Sequence, residues 1–333
     1  TSPGCVSKGL IVMIRSLIGS LVCVVVGAAS ASMTTSAGVV AVNQGTAHEA
    51  LYGLCLSEGR AIAVGQGGLV LESLDGGETW NERDRFTDAA LLDVDCGSRS
   101  QLYAGQGGAL YRQTGESFEA LQSGTGARLM SVAQSRDGDL AVAVGAFGTI
   151  LVSVDQGLTW QSASLDWFAV LDDYVEPHLY DVHISAGGQI TVVGEFALVM
   201  QSDDAGLTWQ RRHRAESSLF GLYLDASGTG YAVGQEGTVL ATGDGGENWA
   251  AIPTPTNDIL LNINRSDSGA VLATGIRKFI VSHDQGATWT EYDSPALTTG
   301  WYQGLVLLPA EEASVEQVML AGHQANILKI ELQ

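Results

Sequence analysis

An apolar run that ends in glycine returns seven times along the 333 residues. The copies are "AIAVGQGG" (Gly65), "QLYAGQGG" (Gly105), "AVAVGAFG" (Gly145), "TVVGEFA" (Gly194), "YAVGQEG" (Gly234), "VLATGIRK" (Gly275) and "VMLAGHQA" (Gly322). Their spacings are 40, 40, 49, 40, 41 and 47 residues. A period near 40 is the mark of a solenoid, a propeller or an array of small units. Within each unit an apolar stretch such as "LYGLCLS" or "LFGLYLD" comes first, then a Gly/Ser/Asp turn, then the run ending in Gly. A third run such as "TILVSVD" follows, and after a second turn a short fourth one. Short apolar or alternating segments between turn residues read as strands, and no segment of similar length has a helical period. Four antiparallel strands per unit and seven units specify an all-β, seven-bladed β-propeller.

The last unit has three strands, near 301–308, 316–322 and 326–332, and lacks a fourth. A propeller must close or protect its edges. The segment "GVVAVNQG" (38–45) is the natural donor of the missing outer strand. The other arrangement is an open last blade. The chain therefore divides into a leader (1–31), an N-terminal segment with the closing strand (32–47) and the propeller (48–333).

A second signature follows the third run: "SLDGGETW" (73–80), "SVDQGLTW" (153–160), "SDDAGLTW" (202–209), "TGDGGENW" (242–249) and "SHDQGATW" (282–289). It resembles the Asp box of bacterial neuraminidase repeats. Asp75, Asp155, Asp204, Asp244 and Asp284 are expected to accept backbone N–H groups a few residues on. The glycine allows φ > 0 at the turn. Trp80, Trp160, Trp209, Trp249 and Trp289 are expected to pack between blades. Five equivalent acids on five blades cannot converge on one substrate, and one or two acids per box fall short of the six to eight oxygens of a calcium site. The second unit has "RQTGESFE" instead, with Phe118 for Trp and no Asp. A turn tolerates that loss better than chemistry would.

The formal net charge of −21 argues against a nucleic acid or an anionic membrane surface as partner. From Met13 the chain has a signal-peptide layout: Arg15, an apolar run over 17–29 and a small-residue site at Ala29–Ala31. That run is short for a membrane span. Export, to a periplasm or to a lumen in a phototroph, is expected, without membrane insertion after cleavage. Cleavage after Ala31 would leave 14 basic against 37 acidic residues, a net −23. Cys55 and Cys96 then remain, near equivalent points of successive units. A disulfide and two buried apolar cysteines both stand as readings.

Tips on one propeller face include Gln66, Gln106, Phe147, Phe196, Glu236, Arg277 and Gln324. Phe147 and Phe196 are expected side by side. Next to them lies the one large insertion, "SASLDWFAVLDDYVEPHLY" (162–180), with Trp167, Phe168 and Tyr174. Long aromatic loops serve as binding elements, or they fold back and bury their rings. The only basic cluster, Arg211, Arg212 and Arg214, suits a carboxylate or phosphate group of a partner, or else the protein's own acids. Glu176, His178, Asp181 and His183 lack a metal-binding pattern, since His178 and His183 alternate to opposite faces. No nucleotide, cofactor or nucleophile motif is present.

The glycine-ended runs followed by SxDxGxTW, over about 45–333, resemble the photosystem II stability/assembly factor family. The resemblance implies an exported seven-bladed propeller without catalytic activity. It would act as a monomer and bind newly made subunits of a membrane complex, or another exported protein. The family also has relatives in non-photosynthetic bacteria, some of which accompany membrane exporters. Photosynthetic members carry a basic arginine patch for their partner, whereas arginines are few here. The leader looks bacterial. The alternative is a glycan-binding or sialidase-like glycosidase propeller. A carboxylate pair and an aromatic platform at the channel would favour it.

Overall fold

Seven sheets are arranged around a central channel in a computed structural model that describes residues 33–36, 38–309 and 315–332. The leader expected over 1–31 lies outside those residues. Blade 1 runs from its inner strand Leu51–Ser57 through Arg60–Gly65 and Val70–Ser73 to the outer Asn81–Glu82. The other blades repeat this antiparallel order. Their inner strands are Leu91–Cys96, Leu129–Gln134, Leu179–Ile184, Leu219–Leu224, Leu260–Arg265 and Tyr302–Leu307. The second strand of each blade is covered on both faces by neighbouring blades, so it reads as a continuous apolar run. All five residues of Ala141–Gly145, for example, are buried.

The glycine that ends this run has a specific cause. A Cβ on Gly65 would lie 1.9 Å from the carbonyl oxygen of Ala50, and one on Gly234 would lie 1.8 Å from that of Ser218. The same backbone carbonyl approach occurs at Gly105, Gly145, Gly194, Gly275 and Gly322. That carbonyl accepts the N–H of the following residue, as Ala50 does from Gln66 at 3.0 Å. Only glycine lets two backbones approach this closely.

The seventh blade is closed by the N-terminal strand Val39–Asn43, antiparallel to Ile327–Glu331. Asn43 Nδ2 fixes the register by donating to the Ala325 carbonyl at 2.8 Å. One feature was not foreseen: Met33–Ser36 pairs in parallel with the outer strand Thr290–Asp293 of blade 6 and makes it five-stranded. Two five-residue helices, Trp167–Leu171 and Pro295–Thr299, interrupt the all-β pattern. Both are too short to leave a helical period. No helix among the described residues is long and apolar enough to cross a membrane.

Cys55 and Cys96 form a disulfide with Cα atoms 5.6 Å apart, joining the inner strands of blades 1 and 2. Of the two readings left open by sequence, the bonded one holds.

Candidate partner-binding face

Each Asp box uses its carboxylate in full. Asp155 Oδ1 accepts from Ser153 Oγ at 2.7 Å and from the Thr159 N–H at 2.9 Å, and Oδ2 accepts from Thr159 Oγ1 at 2.5 Å. Asp75, Asp204 and Asp284 repeat the pattern with Thr79, Thr208 and Thr288, and Asp244 uses Asn248 in place of Thr. These bonds, led by the one from the Thr or Asn side chain, hold the carboxyls of Asp155, Asp204 and Asp244 at about 2, and those of Asp75 and Asp284 below their ordinary value. Trp80, Trp160, Trp209 and Trp249 donate Nε1–H to their own box glycine, while Trp289 reaches the Pro253 carbonyl. All five rings pack against the preceding blade, Trp80 for instance against Met319 and Ala321 of blade 7.

The boxes share one end of the propeller with the turns between the first and second strands, as the 2.8 Å bond from Gly76 N–H to the Gly59 carbonyl shows. The candidate face is the other end. There each blade turns between its second and third strands through residues at φ > 0, the first of them Gly67, Gly107, Phe147, Phe196, Glu236, Arg277 and Gln324; in every blade but the sixth the next residue also has φ > 0. In the first two blades the tip is therefore Gly67 and Gly107, one position beyond the Gln66 and Gln106 expected from sequence. The tip carries a bulky side chain only in later blades.

Phe147 is 66% exposed and meets the His178 ring at 5.0 Å. Phe196 is half-buried in the core between blades 3 and 4, with the Arg214 guanidinium 5.9 Å above its ring. No ring contact joins Phe147 to Phe196; blade 4 sends His178 to Phe147 instead. The insertion forms a small lobe. Asp166 caps the helix Trp167–Leu171 by accepting the Ala169 N–H at 3.3 Å, and Asp172 ends it at φ 54°. Trp167 is packed inward, where a Cβ on Gly148 would lie 2.4 Å from its indole nitrogen. Phe168 and Tyr174 face out, 47% and 87% exposed, stacked at 4.7 Å. The loop thus folds back and packs one of its rings and leaves the other two in solvent.

The basic cluster supports this lobe from below. Arg211 donates to the Val170 carbonyl and lies 3.5 Å from Asp172, and Arg214 donates to the Leu171 carbonyl. Arg212 bridges Gln201 at 2.9 Å and Glu247 at 2.8 Å. Arg277 stands exposed on blade 6, three blades from Phe147.

A β-bulge opens every inner strand, between Leu51 and Gly53 in blade 1 and at the matching place in the other six. The bulged residues Tyr52, Met130, Tyr180, Phe220, Leu261 and Gln303 line the channel mouth. Rings run from His178 to Tyr180 and on to Phe220 at 4.9 Å. Beneath them lie Asp93, Asp95 and Asp181, which sequence reading did not single out as a group. Their signal was an acid inside an apolar strand, in "LLDVDC" and "LYDVHI". Each latches the next blade: Asp93 Oδ2 accepts from Val132 N–H, Asp95 Oδ2 from Gln134 N–H and Asp181 Oδ2 from Leu222 N–H. Ser131 Oγ lies 2.8 Å from Asp93 and 3.0 Å from Asp181. One hydroxyl proton cannot serve both carboxylates, so a proton on one acid completes the set. Asp93 and Asp181 border the narrow channel, and Asp95 lies two residues further along the inner strand of blade 2. Burial pushes Asp95 and Asp181 up to about 7 and raises Asp93, and buried His183 falls to about 4. Glu176, His178, Asp181 and His183 do not converge, and no group of three such side chains among the described residues could hold a metal.

The model of the family described as photosynthesis system II assembly factor YCF48 matches residues 110–298, more than half of the chain. The chain belongs to that family. Among solved structures it is similar to YCF48 from Cyanidioschyzon merolae, at TM-score 0.69 and 17% identity, over 88% of this chain and 98% of that one. It is similar to YCF48 bound to D1 peptide at TM-score 0.71 and 15% identity, over 91% and 99%. A virginiamycin B lyase from Staphylococcus aureus gives TM-score 0.71 at 13% identity, over 90% and 100%. At such identities the likeness shows the fold. No curated protein sequence matches the chain. The YCF48-family match spans the four consecutive strands of each of blades 3 to 6 and therefore includes the insertion and the Arg211–Arg214 cluster that carries it.

Proposed function

We propose that this YCF48-family propeller is a non-catalytic scaffold that binds an exported or membrane protein during assembly of a membrane complex. The observation that carries the reading is the stacked, solvent-facing pair Phe168–Tyr174 on the tip face, next to exposed Phe147. Exposed aromatics on a braced loop mark interaction surfaces. The structure of a YCF48 with a D1 peptide supports peptide binding as the mode. The chain acts outside the cytoplasm, as a monomer; the Cys55–Cys96 bond supports an oxidising compartment. In a non-phototroph the complex is an exporter. Affinity purification from envelopes tests this. The wild type should retain a specific membrane complex, and retention of none would sink the proposal.

A second reading has one observation behind it. Asp93 and Asp181 flank Ser131 below Tyr52, Tyr180 and Phe220, a carboxylate pair under an aromatic rim such as a glycan-acting channel would need. Against it, both oxygens of each carboxylate already accept protein hydrogen bonds. A glycan-array screen with wild type and Asp181→Asn separates the two.

A further inference from the structure

We infer that the 166–176 lobe docks a cationic polypeptide segment that also carries apolar side chains. The inference rests on the protein-binding reading and names the chemistry of the partner. Between Ser162 and His178 the chain has Asp166, Asp172, Asp173 and Glu176 and no Lys or Arg. Arg211 offsets Asp172 at 3.5 Å, and Arg211 and Arg214 direct N–H groups to the Val170 and Leu171 carbonyls. Asp166, Asp173 and Glu176 have no ion pair among the described residues. All four acids are exposed and lie in the same short segment as the stacked rings of Phe168 and Tyr174.

Aromatic faces with carboxylates nearby that have no cationic partner select Lys or Arg twice over. The ring attracts the cation through its quadrupole and covers its aliphatic stem, and the carboxylate completes an ion pair. An acidic segment would meet repulsion from the same groups. The lobe is also pre-shaped. The Asp166 cap, the left-handed turn at Asp172 and the inward Trp167 fix Phe168 and Tyr174 before any partner arrives. Arg211 and Arg214 are themselves exposed, but each is committed to a carbonyl of the lobe, and the four acids outnumber them there.

The test uses fluorescence anisotropy of a labelled peptide alternating Lys and Leu with one Trp, and of its Glu-for-Lys counterpart, against the purified chain. The wild type should bind the basic peptide and discriminate against the acidic one. Phe168→Ala/Tyr174→Ala, which leaves net charge unchanged, should weaken the basic peptide roughly tenfold. Asp173→Asn/Glu176→Gln should weaken it and flatten its salt dependence. An unchanged Kd in both variants, or equal binding of the two peptides by wild type, would overturn the inference. So would envelope capture of a complex by the Phe168→Ala/Tyr174→Ala variant at wild-type yield, an outcome that leaves the scaffold itself standing.

Discussion

Asp93 of blade 2 accepts the backbone N–H of Val132 in blade 3 at 2.9 Å. Inner strands of neighbouring blades share no ladder, so a buried side chain links them instead. Asp95 to Gln134 and Asp181 to Leu222 repeat the device. The cost is three desolvated carboxyls.

That cost makes stability depend on pH. Asp95 and Asp181 sit at about 7 when folded and near 4 when unfolded. A raised acid contributes stability that is present at low pH and lost as pH rises through the folded value. The melting temperature should therefore fall as pH rises from about 4 to about 7, most steeply above about 6 where His183 no longer opposes it, and Asp181→Asn should flatten the slope. His183, lowered to about 4, acts oppositely below about 6.5 and limits the gain on acidification. A melting temperature that rises over pH 6–8 would contradict the assignment.

The box glycines answer to two demands. Gly206 has φ 82°, and its Cβ would lie 2.7 Å from Val152 Cγ2 of the preceding blade. Gly188 has the same φ with open space around it. Gly206→Ala should cost roughly 2–4 kcal/mol, strain plus overpacking, and Gly188→Ala about 1 kcal/mol. Urea denaturation of the two variants checks the order.

The Cys55–Cys96 bond closes a loop with a sequence separation of 41 residues. Chain-entropy reasoning gives it about 4 kcal/mol. Cys55→Ser/Cys96→Ser should lower the urea midpoint accordingly, and reductant should do so for wild type but not for the variant.

Arg211 and Arg214 hold the C-terminal carbonyls of the Trp167–Leu171 helix. Arg211→Ala/Arg214→Ala should loosen the lobe and leave the blades intact. Limited proteolysis should then cut within about 165–176 many times faster, with little change in global melting. Unaltered cleavage would show that Trp167 packing alone suffices.

The blades were legible because each second strand is buried on both faces and must be apolar, and because Gly65 and its counterparts admit no Cβ. The closing strand Val39–Asn43 was legible from the incomplete last unit. The parallel strand Met33–Ser36 was not, since an edge addition needs no apolar pattern. In the candidate site the exposed aromatics could be named from the length of the insertion. Their sorting into inward Trp167 and outward Phe168 and Tyr174 depends on a one-turn helix too short to have a period. The role of Arg211 and Arg214 depends on a contact with carbonyls about 40 residues away. The Asp93–Ser131–Asp181 cluster draws on three blades, and no single repeat displays it.

The scaffold account is tested most directly by photo-crosslinking in intact cells with a photoreactive residue at Tyr174 or at Leu207. Both positions are more than four-fifths exposed, but Leu207 lies in an Asp box at the opposite end. A discrete adduct with one envelope protein from position 174 and none from 207 is the predicted result. Adducts from 207 alone, or from neither position, would contradict a partner on the tip face.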